Sequence, residues 1–128
     1  MARLSQHRQR LAASGILLAA SLLLASCGSG GATDQARSAC KKVDRSIDLY
    51  HQATATPPPT NSDALQNQSQ ALLLSALGEA ARATSADGSF NALMTTLSEA
   101  TRVPEGLLVP SLSRQCQVVE SNTPYLAQ

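Results

Sequence analysis

The sequence has 128 residues, a length that a single domain commonly occupies. It contains 10 Lys and Arg against 9 Asp and Glu, for a formal charge of +1, with two Tyr, one Phe and no Trp. A nearly neutral chain with so few aromatic residues lacks the basic surface and the stacking groups of nucleic-acid-binding proteins, so this class is excluded.

The first 26 residues have the order of an export signal. Arg3, Arg8 and Arg10 form a basic start, and an apolar or small-residue run follows from Leu11 to Ala25. As a permanent helix these 15 residues would span about 22 Å, less than the ~30 Å of the hydrocarbon layer. We therefore predict that residues 1–26 are a cleaved signal peptide. Because the basic start has no arginine pair, the general secretory route is favoured.

The tetrad Leu24-Ala25-Ser26-Cys27 stands at the end of the apolar run. It resembles the bacterial lipobox, in which an aliphatic residue and two small residues precede a cysteine. The resemblance implies that Cys27 receives diacylglycerol on its sulfur, becomes the new N-terminus and anchors the protein to the extracytoplasmic face of the cell membrane. Two acyl chains suffice for stable anchoring. The alternatives are an ordinary secretory signal with Cys27 as a chance thiol, or cleavage at a nearby A-x-A-like site.

Cleavage before Cys27 changes the charge of the chain. It removes three arginines and no acidic residue, so seven basic residues remain against nine acidic ones and the formal charge becomes −2. This charge again opposes binding to nucleic acid. Residues 27–32 are mostly Gly and Ser and form a lipidated, flexible tether of at most ~20 Å, which keeps the domain close to the membrane.

Two further cysteines, Cys40 and Cys116, remain in an oxidising compartment. We predict that they form a disulfide, and the long loop that it closes implies a stabilisation of roughly 4 kcal/mol. The alternatives are free thiols, a redox-active pair and a metal site. A redox pair usually has a C-x-x-C spacing, and His51 is the only histidine left for a metal. We predict neither a metal nor a cofactor.

Four amphipathic segments follow between residues 33 and 120. Thr33 or Asp34 is the predicted N-cap of the first, whose apolar residues recur at spacings of four and three. They are Ala36, Cys40, Val43, Ile47 and Tyr50. The prolines at 57–59 end this helix because they cannot donate backbone hydrogen bonds. A stiff connection is the preferred interpretation of this segment, with a proline-rich ligand or a glycosylated threonine segment as alternatives.

The second helix is predicted to run from a cap within residues 61–63 to about Thr84. Its inner face consists of Leu65, Leu72, Leu73, Ala76, Ala80 and Ala83. Leu74, Leu77 and Ala81 extend the apolar surface towards the opposite side of the helix. Such a helix is either central in the bundle or offers these three residues as an interaction surface.

A turn at residues 86–89 starts a third, shorter helix. Its inner face is predicted to be Phe90, Leu93, Met94, Leu97 and Thr101. Pro104 suits the first position of a fourth helix, but Pro110 interrupts the pattern. We interpret the segment as a short turn through Leu108 and a main helix from Pro110 to Glu120, with a single kinked helix as the alternative. The inner residues of the fourth helix are Leu112, Cys116 and Val119.

Four amphipathic segments with short connections and no alternating strand pattern predict an all-α fold, a small four-helix bundle. Cys40 and Cys116 fall on the inner faces of the first and last helices, which agrees with their pairing. Residues 121–128 are predicted to be a frayed tail.

The sequence contains no motif of a known catalytic site. The G-x-S-x-G, H-E-x-x-H and nucleotide-binding glycine patterns are all absent. A Ser-His-Asp set around His51 would be a coincidence. Asp44 and Asp48 lie one helical turn apart, beside Arg45, which indicates a solvated face rather than a general acid and base. We therefore predict that the protein is not an enzyme and has no catalytic residues.

Short patterns along the mature chain resemble a group of small actinobacterial lipoproteins without an assigned activity. They are Ala39-Cys40, residues 46–50, residues 91–97 and Arg114-Gln115-Cys116. The resemblance covers most of the mature chain and implies a lipoprotein, but no chemistry is attached to its motifs.

Two functional hypotheses follow. In the first, the tethered bundle is an interaction module that docks onto an envelope protein partner through Leu74, Leu77 and Ala81. In the second, the alternative, it is a carrier or sensor that holds a small apolar ligand or lipid between its helices.

Overall fold

The computed structural model describes residues 31–121. This part of the chain forms four α-helices: α1 Ala32–Ala53, α2 Ser62–Ala86, α3 Asn91–Ser98 and α4 Glu105–Glu120. Short 3-10 turns at Gly88–Phe90 and Glu99–Thr101 flank α3, and residues 31–121 contain no strand. The predicted all-α four-helix bundle is confirmed.

The central pair of the bundle is α1 and α2, which contact each other along most of their lengths. They run antiparallel, since Gln35 near the start of α1 contacts Arg82 near the end of α2. Alanines without exposed surface line the core faces of the two helices: Ala36, Ala39, Ala76, Ala80 and Ala83. Such small side chains allow two helix axes to approach closely. The shorter α3 packs on α2, and α4 packs on α1 and α3.

Most of the predicted inner faces are buried. The core contains Cys40, Val43, Leu73, Phe90, Leu93, Leu97, Leu112, Cys116 and Val119, all less than a tenth exposed. Ile47, Leu77 and Met94 are partly buried and pack against this core. None of the helices within residues 31–121 combines the length and the hydropathy that a membrane span requires.

The predicted start of α1 was wrong by two to three residues. The N-cap is Gly31, whose carbonyl accepts hydrogen bonds from the amides of Asp34 and Gln35 at 3.0 and 3.1 Å, so the helix begins at Ala32. Asp34 lies in the first turn, where its charge complements the positive end of the helix dipole. The tether therefore loses Ala32 to the helix, and residues 27–30 lie outside the described part of the chain.

The C-terminal ends of α2 and α3 also differ from the expected ones, whereas that of α1 does not. α1 ends at Ala53, ahead of the prolines as predicted, and α2 extends two residues beyond Thr84. Thr101 was wrongly assigned to the inner face of the third helix: it is exposed, and Ala100 is buried instead. The cause is the 3-10 turn at Glu99–Thr101, because a period of three residues places Ala100 in line with Leu97.

The preferred interpretation of α4 was wrong, and the single-helix alternative is correct. One helix runs from Glu105 to Glu120 with Pro110 inside it, and Pro104 is the N-cap residue rather than the first helical residue. Pro110 is exposed, so its ring points away from the core. A continuous helix keeps four residues in one buried row, namely Leu108, Leu112, Cys116 and Val119. This burial outweighs the missing backbone hydrogen bond at Pro110.

Candidate functional site

The predicted pairing of Cys40 with Cys116 is confirmed. Their sulfurs are 2.10 Å apart and their Cα atoms 5.3 Å apart. Cys40 is fully buried and Cys116 is 2% exposed, so neither sulfur is presented to a protein partner. The disulfide therefore joins α1 to α4 inside the core. Within residues 31–121, no group of three or more His, Cys, Asp and Glu side chains is arranged to hold a metal ion.

The predicted interaction surface on α2 is divided between solvent and core. Leu74 is 45% exposed and Ala81 is exposed, whereas Leu77 is partly buried and packs against the core. Gly78 lies between them and is exposed, and a Cβ atom built there would have only Arg82 Nη1 nearby, at 3.9 Å. The outer side of α2 is therefore apolar at Leu74 and Ala81 and unusually flat at Gly78.

A buried polar cluster joins three helices at the end of the bundle where α4 begins. Ser46 on α1 and Ser69 on α2 have no exposed surface, and their hydroxyls lie 3.0 Å apart. Ser46 Oγ donates to Glu105 Oε1 at 2.8 Å, and Ser69 Oγ contacts the same carboxylate oxygen. Ser69 Oγ also lies 2.8 Å from the backbone carbonyl oxygen of Ser46. These hydrogen bonds attach α4 to α1 and α2. Because both hydroxyls are enclosed, the cluster is not open to a substrate.

Tyr50 closes the same end of the bundle over the first turn of α4. A Cβ atom added at Gly106 would lie within 2.3 Å of the Tyr50 hydroxyl oxygen, so only glycine permits this contact. The Gly106 position is thus set by close packing of two helices. Tyr50 is partly buried, and its ring also lies 6.0 Å from the ring of His51, centroid to centroid.

The sequence-based interpretation missed this polar cluster. Ser46 continues the inner face of α1 three residues after Val43, and Ser69 lies one turn before Leu73 on α2. Their helical positions could have identified them as buried. Their acceptor could not be identified, because Glu105 comes from a helix whose start was misplaced.

Lys42 on α1 links two residues of α2. Its Nζ donates to Glu79 Oε1 and to Ser75 Oγ, at 2.7 Å in each case. Burial acts to raise the pKa of Glu79, but hydrogen bonds from Lys42 and Ser38 and nearby positive charges outweigh it and hold the pKa below its ordinary value. A lowered carboxyl pKa stabilises the fold above the ordinary pKa, and this contribution is lost on acidification. The Lys42–Glu79 ion pair therefore stabilises the packing of α1 on α2 at neutral pH.

Asp44 and Asp48 are both exposed on the outer side of α1, and His51 is exposed in its last turn. Partial burial of the Asp44 carboxyl, followed by the charges of Glu120 and Asp48, raises its pKa. A raised carboxyl pKa favours folding at acidic pH, and that contribution is lost as the pH rises through the folded-state value. Asp44 is thus a point of charge repulsion between α1 and α4.

Leu24, Ala25, Ser26 and Cys27, the residues of the lipobox, lie outside the described residues, as does the tail beyond Ser121. Lipidation of Cys27 therefore stays a prediction from sequence. In the comparisons with known proteins, no family model, no curated protein and no solved structure matches the chain.

Proposed function

We propose that the chain is the precursor of a lipoprotein, anchored through Cys27 to the extracytoplasmic face of the cell membrane, and that its helical domain is a non-catalytic interaction module of the envelope. The observation that carries the anchor is the order of the first 27 residues: basic start, apolar run, two small residues and a cysteine. The buried disulfide supports an oxidising compartment, since such crosslinks rarely persist in the cytosol.

Replacing Cys27 by Ser tests the anchor. The native chain, produced in cells fed a fatty-acid probe, is expected to carry the label and to sediment with membranes, because acylation requires the thiol of Cys27. The C27S variant is expected to lose the label completely and to leave the membrane fraction. Labelling measured by gel fluorescence and membrane fractionation are the two readouts.

The matched control replaces the other two cysteines, Cys40 and Cys116, by Ser. This variant keeps Cys27 and is expected to retain the fatty-acid label even though its disulfide is lost. Persistent labelling of C27S would refute the anchor, and loss of label in the control would show that the assay reports folding instead.

The outer side of α2 supports the role in interaction. A glycine within a helix costs up to ~1 kcal/mol relative to alanine, and no neighbour within the described residues requires Gly78 to lack a Cβ atom. Beside it, Leu74 is one of only two large hydrophobic side chains that are exposed within residues 31–121. An apolar side chain next to a position without a side chain suits the close approach of another protein.

A photo-crosslinker at position 74 tests this surface in intact cells. We expect it to give one defined adduct with an envelope protein, and we expect the same crosslinker at Ala92, exposed on α3, to give none. L74E is expected to reduce recovery of that protein at least tenfold while changing stability by less than ~0.5 kcal/mol. Equal adducts at both positions, or unchanged recovery with L74E, would contradict docking at this surface.

A further inference from the structure

α4 consists of two parts that are held to the bundle differently, and Pro110 divides them. Proline has no backbone N–H, so the carbonyl of Gly106 lacks the hydrogen bond that a regular helix would supply from residue 110. On the other side, residues 102 and 103 form an irregular connection between the 3-10 turn at Glu99–Thr101 and the N-cap Pro104. Residues 104–109, which we call the latch, therefore have a hinge at each end.

The latch buries one large apolar side chain in the core. Leu108 is 7% exposed, but its neighbour Leu107 is 71% exposed, and the N-cap has no side-chain hydrogen bond. Its other attachments are the close packing of Gly106 against Tyr50 and the Glu105 carboxylate, which the hydroxyls of Ser46 and Ser69 hold. A segment that one buried leucine and polar contacts hold is expected to open before the segments that carry the rest of the core.

Beyond Pro110, α4 is anchored much more firmly. Leu112 is fully buried, Val119 is 5% exposed, and Cys116 is covalently joined to α1. None of these contacts involves the latch, so they remain when the latch opens. Opening would uncover Ser46 and Ser69, which have no exposed surface while Glu105 of α4 contacts both of their hydroxyls.

We propose that the latch is a conformational device: residues 104–109 swing open about Pro110 while the rest of α4 stays docked, and Glu105 is the residue that holds the latch closed. The opened state presents two serine hydroxyls and the site vacated by Leu108 at the end of the α1–α2 pair. This proposal stands independently of the lipid anchor, because it depends only on contacts within the helical domain.

Native-state hydrogen exchange of the full chain, followed residue by residue by NMR, tests the proposal. In a regular helix the amides of Val109, Ser111 and Leu112 donate to latch carbonyls, whereas the amides of residues 116–119 donate to carbonyls beyond Pro110. We expect the first group to exchange at least ~tenfold faster than the second. The amides of residues 66–69, at corresponding positions after the start of α2, serve as the control for helix fraying. Equal exchange in the two parts of α4, or in the latch and this control, would overturn the proposal.

Two variants with opposite expected effects complete the test. E105Q replaces a charged acceptor by a neutral one and is expected to speed exchange of the latch amides about tenfold. P110A restores the missing hydrogen bond and is expected to slow the same amides at least ~tenfold. In both variants the amides of residues 116–119 are expected to keep their rates. Equal changes in exchange rate along the whole of α4 would show that the helix opens as one unit and would overturn the proposal. If E105Q fails to fold, P110A tests the proposal on its own.

Discussion

Replacing Cys40 and Cys116 together by Ala is expected to lower the free energy of unfolding by about 4 kcal/mol. The two residues are 76 positions apart, so the crosslink greatly restricts the unfolded chain while fitting between α1 and α4 in the folded one. For a domain of this size, 4 kcal/mol is a large part of the total stability and corresponds to a decrease in Tm of roughly 20 °C.

Urea unfolding followed by circular dichroism measures this effect. The dependence of the unfolding free energy on urea concentration is also expected to increase, because an unfolded chain without the crosslink exposes more surface. The native chain under reducing conditions is the matched comparison and is expected to approach the double variant. A loss below ~1 kcal/mol, or an unchanged urea dependence, would contradict restriction of the unfolded chain as the main effect.

Truncation of Leu112 to Ala is expected to lower the free energy of unfolding by about 3 kcal/mol, because removing a buried leucine side chain leaves a cavity. Leu112 has no exposed surface and lies one helical turn from Cys116 in the buried row of α4. The matched control is L107A in the same helix, at a residue 71% exposed, which is expected to change stability by less than ~0.5 kcal/mol.

Thermal and urea unfolding of the two variants under identical conditions decide this prediction. The two substitutions are identical and lie five residues apart in one helix. The difference between their losses of unfolding free energy therefore reports which face of α4 is buried. Similar losses in L112A and L107A would mean that the first turn of α4 is packed in a different orientation.

The spacing of apolar residues predicted most of the core, because burial of one helical face is a local property that recurs every three or four residues. Val43 and Cys40 on α1, and Leu112 with Cys116 on α4, are examples. The pairing of the cysteines was also predictable, since only two remained after the lipobox cysteine was set aside.

The errors arise where contacts between distant segments decide the local structure. Pro110 is a reliable helix breaker in isolation, but the row of buried side chains on both sides of it keeps α4 continuous. Thr101 was misplaced because the helix tightens into a 3-10 turn after Ser98, which shifts the period. Neither effect can be seen in the sequence alone.

The polar cluster was missed for a related reason. Serine is a residue type that is common on helix surfaces. The burial of Ser46 and Ser69 depends on a contact with Glu105, which lies 36 residues beyond Ser69 in the sequence. Burying hydroxyls is acceptable only when acceptors are supplied, and here one carboxylate oxygen accepts from both serines. The wide apolar face of α2 predicted Leu74, Leu77 and Ala81 as one surface, whereas in the structure Leu74 and Ala81 are exposed and Leu77 packs against the core.

The crosslink between α1 and α4 also determines what a protease could release. All residues of α2 and α3, together with the exposed Pro57 and Pro58, lie between Cys40 and Cys116 along the chain. A single cut at any of these positions therefore leaves one covalent molecule, in which both fragments remain joined through sulfur. In a lipoprotein anchored at Cys27, as proposed above, a bundle cut in this way would therefore stay on the membrane.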